Sequence, residues 1–109
     1  SNYRWMGSIA VDKMGNAAVG YSVSSSAMYP AIRYAGRLVT DALGTLGQGE
    51  ATLVAGSGSQ TSYTRWGDYS GMTLDPNGCT FWYTTEYYLT TGTNWQTRIA
   101  SFQFPNCTP

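Results

Sequence analysis

The sequence has no histidine, and its six Lys plus Arg are balanced by six Asp plus Glu, so that only 11% of its residues are charged. Without histidine, imidazole-based acid–base and nucleophilic chemistry is excluded. The sparse, balanced charge offers no basic field to attract nucleic acid or an anionic membrane surface. Apolar runs extend over only a few residues, far short of the roughly 18 to 20 that cross a bilayer as a helix. Nucleic-acid binding and membrane insertion are therefore not expected. Helices are missing from the pattern as well, since the one candidate, Asp41-Ala42-Leu43, is too short and is stopped by Gly44. No glycine loop follows a strand and opens a helix, which leaves nucleotide binding without support. No cofactor and no metal is implied.

What is present is a folding composition. Hydrophobic residues make up 42% of the chain and aromatic residues 15%, including nine Tyr and four Trp. Polarity comes from Ser, Thr, Gly, Asn and Gln, a balance that suits extracellular β proteins and disfavours helices. Alternation with a period of 2 marks strands over 8–11, 17–23, 31–39 and 50–56, then over 70–74, 79–87 and 96–104. The expected fold is all-β, a single domain over 1–109 of antiparallel meanders with four strands and then three.

The chain also says nearly the same thing twice. Arg4-Trp5 returns as Arg65-Trp66, the turn from Asp12 to Gly15 returns as Asp75 to Gly78, and Arg33 between strand formers returns as Arg98. The first repeat runs from about 4 to 60 and the second from about 65 to 107. Repeating four-stranded meanders of roughly 40 to 50 residues are the pattern of β-propeller blades, of which a ring needs about four to eight. Fewer than two blades fit here. The uncovered faces are then expected to meet other copies of the chain or the remainder of a parent propeller. A seven-stranded β-sandwich is the alternative, although it gives no reason for the recurring Arg-Trp and Asp-x-x-Gly.

Cys79 and Cys107 are too far apart for a redox or metal CxxC pair. They read as one disulfide stapling the C-terminus to the second repeat, the other possibility being two buried thiols. Ser1-Asn2-Tyr3-Arg4 is not a signal segment, so any export signal is expected on a longer precursor or already removed. The segments Tyr63-Thr64-Arg65-Trp66-Gly67-Asp68-Tyr69-Ser70, Asp75-Pro76, Cys79-Thr80-Phe81-Trp82-Tyr83-Thr84 and Arg98-Ile99-Ala100-Ser101-Phe102 resemble the C-terminal blades of large secreted bacterial proteins with sialidase-like (BNR-type) propellers. That resemblance implies an extracellular location and a paired Cys79 and Cys107, and no particular activity. The turns at Asp12 and Asp75 lie where an Asp-box would lie but lack its Ser-x-Asp-x-Gly-x-Thr-Trp spelling.

Several residues are candidates for function. Asp68 as acid, Tyr69 as nucleophile and Arg33, Arg65 and Arg98 as a carboxylate clamp would make a glycosidase site. Arginines that recur at equivalent repeat positions, Arg4 with Arg65 and Arg33 with Arg98, instead suggest ties between blades. Asp12 and Asp75 read as turn formers with Gly15 and Gly78 rather than as calcium ligands, because no further carboxylates accompany them. Trp5 and Trp66 read as wedges between blades. Among the aromatics around the last hairpin, Trp82 is assigned to the buried face, which leaves Tyr87, Tyr88 and Trp95 as the exposed ligand-binding set. The functional expectation is a non-catalytic extracellular module that associates with itself and binds glycan through that aromatic loop. The alternative is a fibre-forming structural protein, with a glycosidase fragment behind both.

Overall fold

The computed structural model describes residues 1–109 and contains seven strands and no helix. The strands are β1 (Tyr3–Val11), β2 (Ala17–Ser25), β3 (Met28–Arg37), β4 (Glu50–Val54), β5 (Gly71–Leu74), β6 (Phe81–Tyr87) and β7 (Gln96–Phe102). They form a four-stranded sheet in the order β1-β2-β3-β4 and a three-stranded sheet in the order β5-β6-β7. Every pairing is antiparallel, as short turns between consecutive strands require. The all-β class and the division into four and three strands agree with the alternation in the sequence. The strand ends shift by one to three residues in six of the seven strands, and the largest change is in β1, which starts at Tyr3 rather than Ser8 because Arg4 and Trp5 already pair with Val23 and Ser22 ahead of a bulge. Met6 sits in that bulge with φ 54°.

The two Asp-x-x-Gly turns are built alike. The amide of Gly15 donates to the carbonyl of Asp12 at 3.0 Å, and that of Gly78 to Asp75 at 2.9 Å. Each Asp carboxylate also accepts a main-chain N–H two residues on, from Met14 at 2.9 Å and from Asn77 at 3.0 Å. Gly15 and Gly78 take φ 89° and 80°, a left-handed conformation that glycine adopts without a Cβ clash. The sheet registers carry the equivalence further. Val11 opposite Ala17 corresponds to Leu74 opposite Phe81, Ile9–Val19 to Met72–Tyr83, and Ala10–Ala18 to Thr73–Trp82. On the third strands, Val19–Ala35 corresponds to Tyr83–Ala100 and Tyr21–Arg33 to Thr85–Arg98.

The sheets pack face to face. Their shared core joins Ala18 and Ile32 of the first sheet to Met72, Phe81 and Tyr83 of the second, with Phe104 beyond β7. Burying one Phe or Tyr ring of this kind contributes about 1.5 to 3 kcal/mol. Two glycines allow the close approach: a Cβ on Gly20 would stand 2.5 Å from the Tyr83 ring, and one on Gly36 2.3 Å from that of Phe104. Tyr34 stacks on Phe102 with ring centroids 4.0 Å apart. β1 lies against β5, where the Met72 amide donates to Ser8 Oγ at 2.9 Å. The chain makes this central layer itself, from one face of each repeat. The placement of Trp82 is a correction. Phe81 and Tyr83 take the buried face, so alternation turns Trp82 outward, where it is 42% exposed.

Cys79 and Cys107 form a disulfide across 28 positions with Cα atoms 5.6 Å apart, and both residues are buried. Beside it Asn16, fully buried, donates from Nδ2 to Asp12 Oδ2 at 2.8 Å and to Asn106 Oδ1 at 2.7 Å. Its Oδ1 accepts from the Val39 amide at 2.9 Å and from Asn106 Nδ2 at 3.1 Å. These bonds satisfy a polar group that would be costly to bury alone.

The repeating arginines do not tie sheet to sheet, contrary to expectation. Arg4 on β1 and Arg33 on β3 converge on Glu50 of β4, at 2.6 Å and 3.1 Å, on the outer face of the first sheet. Together with the Tyr21 hydroxyl, which donates to Glu50, they roof the small cluster of Tyr21, Val23, Ala31 and Ala35. Arg65 pairs with its neighbour Asp68, and Arg98 is exposed on β7.

Candidate functional site: an aromatic cleft over the second sheet

The connection from β4 to β5 carries no strand of its own and runs beside the loop after β6. Ser57 N and Ser57 Oγ donate to the carbonyls of Tyr88 and Leu89 at 3.1 and 2.6 Å, and Thr61 N donates to that of Gly92 at 2.8 Å. Farther along, Trp66 pins the segment down. Its indole N–H donates to Ser22 Oγ at 3.0 Å, its ring stacks on Tyr88 at 5.2 Å, and Trp5 meets it edge-on at 6.1 Å. The next residue, Gly67, takes φ 59°, and its amide donates to the Glu86 carboxylate. Met6 follows Trp5 in the same left-handed conformation, so the repeated Arg-Trp dipeptide ends in the same backbone reversal both times.

Pinned in this way, the segment forms one wall of a cleft of about 720 Å³. Its floor is Thr84 and Glu86 of β6 with Thr97 of β7, and its walls are Tyr63, Arg65, Asp68 and Tyr69 on one side and Trp95 on the other. Tyr63 and Trp95 are each 59% exposed, so their ring faces are open to a ligand. Gln60 is held by its own bond to the Arg65 carbonyl at 2.8 Å. Charge inside is sparse, with the single cation, Arg65, bound to Asp68 at 2.5 Å and Glu86 taken up in part by the Gly67 amide. The arrangement suits a neutral, hydroxyl-rich ligand, which needs apolar ring faces for its C–H surface and fixed acceptors for its hydroxyls.

Of the aromatic set expected at the surface, the structure brings only Trp95 to this cleft. Tyr88 is fully buried, a correction that follows from its stacking under Trp66, and burial pushes its phenol above the ordinary tyrosine value. Tyr87 is half-buried against the central core. The carboxylate clamp is also corrected: Arg65 lines the cleft, but Arg33 lies on the outer face of the other sheet and Arg98 is not part of the lining. Asp68 and Tyr69 do line it. Asp12, Gly15, Asp75 and Gly78 form turns at the opposite end of the sheets. Sequence reasoning passed over Gln60, Tyr63 and Glu86. The signal that marks Gln60 and Tyr63 is the long strandless stretch between β4 and β5, a kind of connection that is often functional, whereas Glu86, inside β6, carries no such mark. No family model, curated protein or solved structure matches the chain.

Proposed function

We propose that this protein is an extracellular, non-catalytic binding module that recognises neutral glycans in the cleft between Trp95 and the 60–69 segment. The observation that supports this reading is the pair of open aromatic faces, Tyr63 and Trp95, around carboxylates and hydroxyls with no free cation among them. One Arg against two acidic side chains disfavours an acidic sugar, so the preferred ligand is uncharged. The buried disulfide is compatible with an oxidising, extracellular setting. The equivalent registers of the two sheets support a reading of them as propeller-type blades like those of secreted sialidase-like proteins, completed by other copies or by a parent chain.

A glycan array followed by titration calorimetry tests the binding reading. Trp95→Ala is expected to weaken binding by roughly tenfold or more, the cost of losing one aromatic anchor. Tyr3→Ala, exposed but outside the cleft, should leave the affinity unchanged. Absence of binding to every neutral glycan would end this reading and leave the structural one. That second reading has its own support in Ile9, Val11 and Ile99, large apolar side chains left exposed on strands.

A further inference from the structure

The contact between the two sheets is made by unlike faces of like units. The first sheet contributes Ala10, Ala18 and Gly20, whose register equivalents in the second sheet are Thr73, Trp82 and Thr84. The second sheet contributes Met72 and Tyr83, whose equivalents in the first are Ile9 and Val19. One face of each kind is therefore left over, and the leftover faces are of the two kinds that already fit together inside the chain.

Shape and charge both match. On the leftover face of the first sheet small residues replace large ones: Ala17 stands where the second sheet has Phe81, and Val19 where it has Tyr83. On the leftover face of the second sheet the exchange is reversed, with Trp82 in place of Ala18. A shallow surface thus faces a raised one. The shallow face carries Arg4 and Arg33, which share Glu50, and Arg37, which binds the main chain of Asp41, leaving three cations to two acids. The raised face carries Glu86, while Arg98 of β7 falls on the opposite side by alternation, and Asp75 is held at Trp82 by a 3.1 Å bond from the indole N–H. Ile9 on the first and Ile99 on the second are 64% and 68% exposed, so each face keeps an open apolar part outside the Glu50 roof on the one and the 60–69 segment on the other.

We propose that the chain associates head to tail with a second copy, the Trp82–Ile99 face of one molecule seating on the Ile9–Val19 face of the next. This inference gives the assembly reading a defined interface on the same outer face of β6 and β7 that floors the cleft, Thr84 lying directly opposite Ile99, with Trp82 toward the other end of β6 from Glu86. Because the two surfaces differ, each bound pair keeps one free face of each kind, and the contact propagates until it closes a ring or continues as a filament.

Sedimentation velocity over a range of concentrations, without sugar, tests it. Wild type is expected to form species larger than one chain, and Trp82→Lys and Ile9→Lys are each expected to remain single chains. An equimolar mixture of the two variants should give a pair and nothing larger, since each retains the face the other has lost. Circular dichroism and an intact disulfide confirm folding, and Ile99→Lys replaces Trp82→Lys if that variant does not fold. A wild type that stays a single chain, assembly that survives both substitutions, or a mixture that fails to pair would each overturn the proposal. Trp95→Ala should assemble like wild type, so loss of glycan binding and loss of assembly are read separately.

Discussion

Glu50 shows how much a single side chain can organise. It sits at the start of β4 yet takes bonds from Arg4 on the far edge strand, from Arg33 and from Tyr21, so that one carboxylate links all four strands of its sheet. Arg4 first, and then Tyr21, hold its carboxyl down to about 2. A carboxyl lowered in the folded state adds stability above its unfolded value and loses it as pH falls through the folded one. The window is therefore from about 4.5 down to about 2. Urea unfolding of wild type and Glu50→Gln should differ most near neutrality, and the gap should close as the pH is lowered across that window. At the alkaline end Tyr21 is pushed up to about 12, by burial first and then by its bond to Glu50. Its share of stability is complete below the ordinary tyrosine value and declines as pH rises toward about 12. None of this convergence is visible in the sequence, where Arg4, Arg33 and Glu50 are remote, and where the repeat misleadingly groups the arginines with Arg65 and Arg98.

At the scale of elements, the turns were legible because their bonds are local. Asp12 and Asp75 need only the amides of the following residues and a glycine tolerant of positive φ, all contained in a short stretch of chain. The disulfide acts over a longer span. It fixes the segment after β7 to the turn before β6, and Phe104 in that segment fills the space over Gly36. On the loop-entropy model a bridge of this span contributes about 3 kcal/mol. The double variant Cys79→Ala/Cys107→Ala should melt about 10 to 20 °C lower than wild type by calorimetry. An unchanged melting temperature would show that the tail is held by Phe104 and the Asn16–Asn106 bonds alone.

For the molecule as a whole, stability depends on how closely the two sheets approach. Gly20 and Gly36 set that distance, because Tyr83 and Phe104 lie where their Cβ atoms would be. Gly20→Ala is expected to cost about 1 to 3 kcal/mol in chemical denaturation, the usual penalty of overpacking a full core. Gly71→Ala, with nothing within 4 Å of the new methyl, serves as the control and should be close to neutral. Equal stability of the two variants would mean that the sheets do not meet in solution. The same interface lays β1 against β5, the first strands of the two repeats, as stacking of like units in one sense requires.

Strand positions, reversals, the absence of helix and the doubled pattern were determined by the sequence alone, since alternation, turn chemistry and repetition act between residues near one another in the chain. Which side of each strand faces inward was decided only by the tertiary structure. Alternation separates Phe81 and Tyr83 from Trp82 but does not label either face, and the label came from Gly20 and Gly36, which offered room for large rings from the opposite sheet. Tyr88 went inside and Trp95 stayed outside for a similar reason: a distant residue, Trp66, needed a surface to stack on, and only one of the two lay beneath it.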